Sequence, residues 1–149
     1  MIQIRALRDE DWAAVYRIHD AARPDELRAR SCDPRAFVPI EEDPEVEELR
    51  RSTILVADEE RRVVGFAAVD DDYLGWLYVD PEHYRRGIGQ TLLRASLRLV
   101  SGEAWTIVLA ENHPAIRLYE SEGFVEDERF ESENAGYPCT CLRMVRPAR

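Results

Sequence analysis

Residues 80–93 read Asp80-Pro81-Glu82-His83-Tyr84-Arg85-Arg86-Gly87-Ile88-Gly89-Gln90-Thr91-Leu92-Leu93. An apolar run over residues 73–79 precedes them, and Leu92, Leu93, Leu97 and Val100 continue at helical spacing. A strand therefore feeds a loop with two glycines and two arginines, and an amphipathic helix begins at about Gly87. The first N–H groups of a helix have no intrahelical acceptor, and the helix dipole makes that end positive. Gly87 and Gly89 lack Cβ, so an anion can approach the backbone. Arg85 and Arg86 add charge and paired donors. This is the physics of a phosphate site. It is not a dinucleotide fingerprint, because Gly87-x-Gly89 runs on to Leu92 instead of a third glycine and lies well past the first strand. Nor is it a P-loop, which needs Gly-Lys-Ser/Thr in a chain that has no lysine.

Outward from this loop the pattern alternates between strand and helix. Ile2, Ile4 and Ala6 alternate with polar residues as in a half-buried strand. Asp9 is placed to cap a first helix carrying Trp12, Val15, Tyr16 and Ile18. Pro24, Pro34 and Pro39 predict an irregular stretch over 23–43, and a short acidic helix follows Pro44 through Val46 and Leu49. Residues 52–58, 63–70 and 73–79 read as three strands joined by polar turns. Residues 104–110 form a near-continuous apolar run, as in a strand covered on both faces. A helix over 113–122 ends at Gly123, and strands near 124–130 and 139–145 close the chain around a loop at 134–138. The order predicts an α+β fold: a mixed, mostly antiparallel central sheet of about seven strands flanked by about four helices. With no repeat, low-complexity tract or linker, residues 1–149 read as a single domain.

The 149 residues are 45% hydrophobic and 34% charged, with 30 acids against 20 bases, all arginine, for a net charge of −10. Nucleic acid as main partner and an anionic membrane surface are both excluded, since each needs a basic face. No apolar run reaches the ~18 residues of a membrane span, and the N-terminus lacks the apolar core of a secretory signal. Cys32, Cys139 and Cys141 make an odd count without framework spacing, which predicts a reducing interior, the cytoplasm. Cys139 and Cys141 are read as packing residues sharing a strand face, and Cys32 as lacking any sequence partner that would mark it as an activated nucleophile. The charge is uneven. Residues 1–72 hold 19 acids and 11 arginines (−8), and residues 73–149 hold 11 and 9 (−2). Over 80–98, Asp80 and Glu82 face Arg85, Arg86, Arg94 and Arg98, a net of +2.

A second constellation follows the buried strand: Glu111-Asn112-His113-Pro114-Ala115-Ile116-Arg117-Leu118-Tyr119-Glu120-Ser121-Glu122-Gly123-Phe124. In order and separation the two motifs resemble those of the GNAT superfamily of acetyl-CoA-dependent N-acetyltransferases. The first is Gln/Arg-x-x-Gly-x-Gly/Ala after a strand. The second is Asn-x-x-Ala-x-x-x-Tyr followed by Gly-Phe, met by Asn112, Ala115, Tyr119, Gly123 and Phe124. One departure stands out: Tyr84 occupies the Gln/Arg position. The resemblance implies the acyl-CoA N-acyltransferase-like fold and direct transfer of an acetyl group from acetyl-CoA to an amine, without a metal. It implies a pyrophosphate site over Tyr84, Arg85, Arg86, Gly87, Ile88, Gly89, Gln90 and Thr91. It also implies backbone contacts to the pantetheine arm and thioester from Leu77, Tyr78 and Val79, a further contact from Asn112, and Tyr119 beside the sulfur as general acid. Homodimers occur in the family, and nothing in this chain marks an interface.

The chemistry needs a way to deprotonate an ammonium of pKa about 10.4, donors for the thioester oxygen, and a proton for the thiolate. The position where some family members carry a glutamate base falls on Tyr73, a poor base. Glu111 at the end of the neighbouring strand, Asp72, and a water chain or self-deprotonation of the substrate stay open, with Glu111 the named candidate; His83 lies beside the pyrophosphate loop, away from the acceptor. Acids at 41–48 read by default as a solvated face. Because the family's acceptor site borders this region, Asp33, Glu41, Glu42, Asp43 and Glu45, together with Glu131 and Glu133, imply a cationic amine acceptor. The rival is a catalytically inactive CoA-binding sensor or scaffold, favoured by the missing strand glutamate.

Overall fold

The computed structural model describes residues 1–28 and 32–148. The elements are β1 (Ile2–Ala6), α1 (Trp12–Leu27), α2 (Val46–Arg51), β2 (Thr53–Glu59), β3 (Arg62–Asp70), β4 (Tyr73–Val79), α3 (Ile88–Leu97), β5 (Ala104–Leu109), α4 (His113–Ser121), β6 (Val125–Asn134) and β7 (Tyr137–Arg146). The strands form one sheet in the order β1-β2-β3-β4-β5-β7-β6. Every neighbouring pair is antiparallel except β4 and β5, whose connection through α3 makes them parallel. This is the mixed, mostly antiparallel seven-stranded sheet with four helices that the pattern predicts.

Burial explains the layers. Strand β3 is buried along all but its two end residues, because helices cover both faces of the sheet there. On one face, Val15 and Ile18 of α1 and Val46 and Leu49 of α2 pack on Val56, Phe66, Ala68 and Trp76. On the other, Ile88 and Leu92 of α3 pack on Ala57, Val64 and Ala67, while Leu93, Leu97 and Tyr119 join Leu74, Val108, Leu142 and Met144.

Three local expectations are corrected. Helix α1 runs through Pro24, three residues before its end, so the irregular stretch begins later. Proline removes a single helix donor there, and Arg28 N still donates to Pro24 O at 3.1 Å. The residue at the cap position of α1 is Asp11, not Asp9, and its carboxylate does not cap the helix: it accepts Arg8 N at 2.7 Å and Arg5 Nη1 at 2.7 Å, tying the start of α1 to the preceding turn and β1. Cys32 is disulfide-bonded to Cys139, leaving Cys141 free and buried. The folded chain thus supplies a partner 107 residues away, and cysteine usage no longer argues for a reducing compartment. No helix among the described residues is long and apolar enough to cross a membrane.

Asp11 generates a stability test. Its hydrogen bond from Arg5, above all, and that from Arg8 N hold its carboxyl below the usual range despite burial. A depressed folded-state pKa contributes stability that is present above the unfolded value and lost as pH falls through the folded one. Asp11→Asn is expected to cost about 2 kcal/mol at neutral pH in urea unfolding. The gap to the parent should narrow steadily below pH ~4; a gap that does not change with pH contradicts the assignment.

Candidate active site

The site originates where β4 leaves β5. The two strands share one register pair, Tyr73 with Trp105. That end is pinned by Trp105 N donating to Asp72 O at 3.0 Å and Thr106 Oγ1 donating to Leu74 O at 2.6 Å. On the β3 side the register passes from Ala68 opposite Trp76 to Val69 opposite Leu74, leaving Gly75 as an extra residue on β4. Such a bulge bends its strand. Beyond it, the edge of Leu77, Tyr78 and Val79 that faces β5 has no strand partner, and a cavity of about 690 Å³ opens between the two strands.

Leu77, Tyr78 and Val79 of β4 and Val108 and Leu109 of β5 line this gap. At one end stand Tyr84, Arg85 and Gly89 of the glycine loop, with Asn112, Ala115, Leu118 and Tyr119 of α4 beside them. Gly87 has φ +77° and ψ 11°, a left-handed conformation, and a Cβ there would meet nothing within 4 Å. No side chain at Gly87 caps α3, so the helix-start N–H groups are offered to the loop. Most of the flanking side chains are engaged elsewhere. Arg86 pairs with Glu59, Gln90 Nε2 donates to Glu122 at 3.2 Å, Thr91 Oγ1 donates to Gly87 O at 2.9 Å, and Ile88 is buried in the core. The Tyr84 hydroxyl donates to Asp25 Oδ2 of α1 at 2.9 Å. The loop therefore presents backbone, with Arg85 as the arginine on the cavity wall.

Tyr119 is 5% exposed and lies edge-on to Phe124, centroids 5.1 Å apart. Burial pushes its hydroxyl up to about 12, against the opposing pull of the Thr106 hydroxyl. It is a donor that keeps its proton at neutral pH. Asn112 caps α4, its side chain accepting Ala115 N at 3.4 Å, and also lines the cavity.

Neither sequence candidate for a base, Glu111 or Asp72, lies on the cavity wall; Tyr73, at the position of the family's glutamate, does. It stacks on Trp105 at 4.2 Å, and burial, then Glu48 and Glu45, raise its hydroxyl. Glu111 is exposed, 3.2 Å from His113 Nε2, and is not part of the lining. Asp72 accepts Trp105 Nε1 at 3.1 Å, and His83 lies between Glu59 and Asp80, both away from the lining. The acceptor-side acids divide likewise. Asp43, Glu45 and Glu133 line the cavity, while Asp33 pairs with Arg35, and Glu131 accepts from Thr140. Glu48 joins the lining, as do Asp25 and Glu26. Six carboxylates thus face the guanidiniums of Arg23 and Arg85, a formal balance of −4 among the described residues. No group of three or more His, Cys, Asp or Glu able to hold a metal ion occurs among the described residues.

Residues 50–126 match the acetyltransferase (GNAT) domain family, and the chain belongs to that family. It is 30% identical over 94 residues to the peptidyl-lysine N-acetyltransferase YjaB of Salmonella typhimurium, a match covering 63% of this chain and 63% of that protein. The matched part thus spans less than two thirds of that relative. In fold the chain is similar to a GNAT-class N-acetyltransferase from Rhodopseudomonas palustris, with a TM-score of 0.82 at 22% identity, covering 97% of this chain and 94% of that one. It is also similar to YncA of Salmonella typhimurium, solved with its cofactor acetyl-CoA, with a TM-score of 0.73 at 21% identity, covering 99% and 94%.

Sequence reading missed Gly75 and Glu48. A lone glycine inside an apolar strand is the signal of a bulge, whereas nothing local distinguishes Glu48 from its acidic neighbours. A Cβ at Gly75 would stand 2.8 Å from the Tyr73 ring and 3.2 Å from Glu48 Oε1. Gly75→Ala is expected to destabilise the fold by about 1–3 kcal/mol in denaturant unfolding, because the Tyr73 ring is held against Trp105. An unchanged midpoint contradicts this packing.

Proposed function

We propose that this chain transfers the acetyl group of acetyl-CoA to a cationic primary amine by direct attack while both are bound, with residues 1–149 acting as one transferase domain. The observation that carries the reading is a single continuous cavity. It runs from the glycine loop, past the buried Tyr119, to the carboxylates of Asp43, Glu45 and Glu48. Its two ends suit the two substrates. The uncapped start of α3 and the left-handed Gly87 fit a pyrophosphate, and the unpaired edge of Leu77, Tyr78 and Val79 fits an amide-bearing arm. The carboxylates of Asp43, Glu45 and Glu48 fit an ammonium. YjaB is named for peptidyl-lysine acetylation, and a lysine side chain is an acceptor of this charge.

Acetyl-CoA supplies the activated acetyl carbonyl. The backbone of Leu77, Tyr78 and Val79 orients the arm and offers donors to the carbonyl oxygen. Tyr119, still protonated at neutral pH, gives its proton to the departing sulfur. Asn112 holds the start of α4, and with it Tyr119, against the gap.

Release of coenzyme A thiol is the readout, with spermidine, 1,5-diaminopentane and a lysine-containing peptide set against glutamate and aspartate as acceptors. The cationic amines are expected to turn over faster, and a preference for the anionic ones contradicts the acceptor class. Coenzyme A binding by calorimetry without turnover of any amine points to a sensor module instead. Tyr119→Phe is expected to lower kcat about 100-fold while retaining coenzyme A affinity, and an unchanged kcat removes Tyr119 from the mechanism.

A further inference from the structure

One step of this reaction has no residue yet: loss of the acceptor's ammonium proton. Glu111, Asp72 and His83 lie off the cavity, and Tyr73 is a phenol with its hydroxyl raised further. The cavity offers a different group. Glu48, on α2, reaches across to β4 at its bulge, where its Oε1 would be 3.2 Å from a Cβ at Gly75. The missing side chain at Gly75 is what lets this carboxylate lie against the strand where it parts from β5. Glu48 is half-buried, and its carboxylate forms no hydrogen bond or ion pair with a described residue. Leaving a half-buried carboxylate uncompensated is costly unless a ligand completes it.

The charged groups around it are Glu45 on its own helix flank, Asp70 at the end of β3, and Arg51 one turn on. The Tyr73 hydroxyl faces it from β4. Burial first, then Glu45 and Asp70, raise the Glu48 carboxyl above the ordinary glutamate value, with Arg51 opposing. Glu45 is raised likewise by burial and Asp43, against Arg23 and His19. Two neighbouring carboxylates with raised proton affinity, on the wall of a cleft, are suited both to bind an ammonium and to take its proton.

We propose that Glu48 is the catalytic base that takes the acceptor's ammonium proton, and that Glu45 holds the ammonium against it. This rests on the acetyl-transfer reading and adds the residues that select and activate the acceptor. The proton account closes. Glu48 takes one proton from R–NH3+, and the freed lone pair forms the C–N bond as the C–S bond breaks. The sulfur takes the Tyr119 proton, the second N–H proton restores Tyr119 through solvent, and Glu48 releases its own to water. The net products are the amide, the free thiol and one proton.

The test is the pH dependence of kcat/KM with acetyl-CoA and 1,5-diaminopentane, spermidine or a lysine-containing peptide. A base must be ionised, so activity falls as pH drops through its raised pKa. Glu48→Gln is expected to lose about 100-fold in kcat and to lose that acid limb, with partial recovery as pH rises and free amine accumulates. Glu48→Asp should recover part of the rate and move the limb to lower pH, following the lower intrinsic pKa of aspartate. It carries the test if Glu48→Gln does not fold. Glu45→Gln should raise the acceptor KM about 10-fold. Coenzyme A affinity of each variant, matched to the parent, separates these effects from a damaged fold. If Glu48→Gln keeps the parent's kcat and acid limb, Glu48 is not the base and acetyl transfer stands. If the parent chain releases no thiol with any of these amines, both readings fall.

Discussion

Strands β4 and β5 are the one neighbouring pair of the sheet that runs parallel, and they meet at a single register pair, Tyr73 with Trp105. The other neighbours are zipped along several residues. A parallel pair needs a crossover, here α3, and the crossover sets the glycine loop at the end of β4 where the strands have already parted. The bulge at Gly75 directs the parting, and the Thr106–Leu74 hydrogen bond limits it to one end. Buried backbone polar groups require partners. The edge of β4 beyond the bulge has no strand partner on its β5 side and opens onto the cavity, and the other features of the site are arranged around that edge.

The charge of −10 acquires a geography. The arginines near the glycine loop are largely neutralised within the protein, Arg86 by Glu59 and Arg94 by Glu122. The anion site consequently rests on backbone and helix dipole more than on the +2 of residues 80–98. Of the α1 carboxylates on the cavity wall, Asp25 accepts from Tyr84 of the loop and Glu26 pairs with Arg23, whereas Glu45 and Glu48 of the α2 region lie near one another by the Gly75 bulge. A cleft that joins a helix start with unpaired N–H groups to a cluster of carboxylates offers separate places for an anionic and a cationic group.

Much of this was legible in the sequence. Apolar periodicity located most of the strands and helices, because each buries a face whose spacing is fixed by its own geometry, whereas β6 is exposed along nearly all its length and its extent to Asn134 was not legible. Gly87, Gly89, Asn112 and Tyr119 stood out through motif spacing, and all but Gly87 are found on the cavity wall. What escaped depends on tertiary contact. Pro24 breaks a helix by propensity, yet α1 continues through it to bury Leu27. Cys32 and Cys139 are joined only by the fold. Glu48 looks like any member of an acidic run until Gly75, on a different element, makes room for its carboxylate.

Backbone hydrogen exchange, resolved by residue and compared with and without coenzyme A, reads the open edge of β4 itself. If the open edge of β4 and the start of α3 are what the ligand completes, coenzyme A slows exchange within residues 77–79 and 88–90 and leaves β1 and β2 as they were. Saturating coenzyme A with no protection at either stretch would contradict the account.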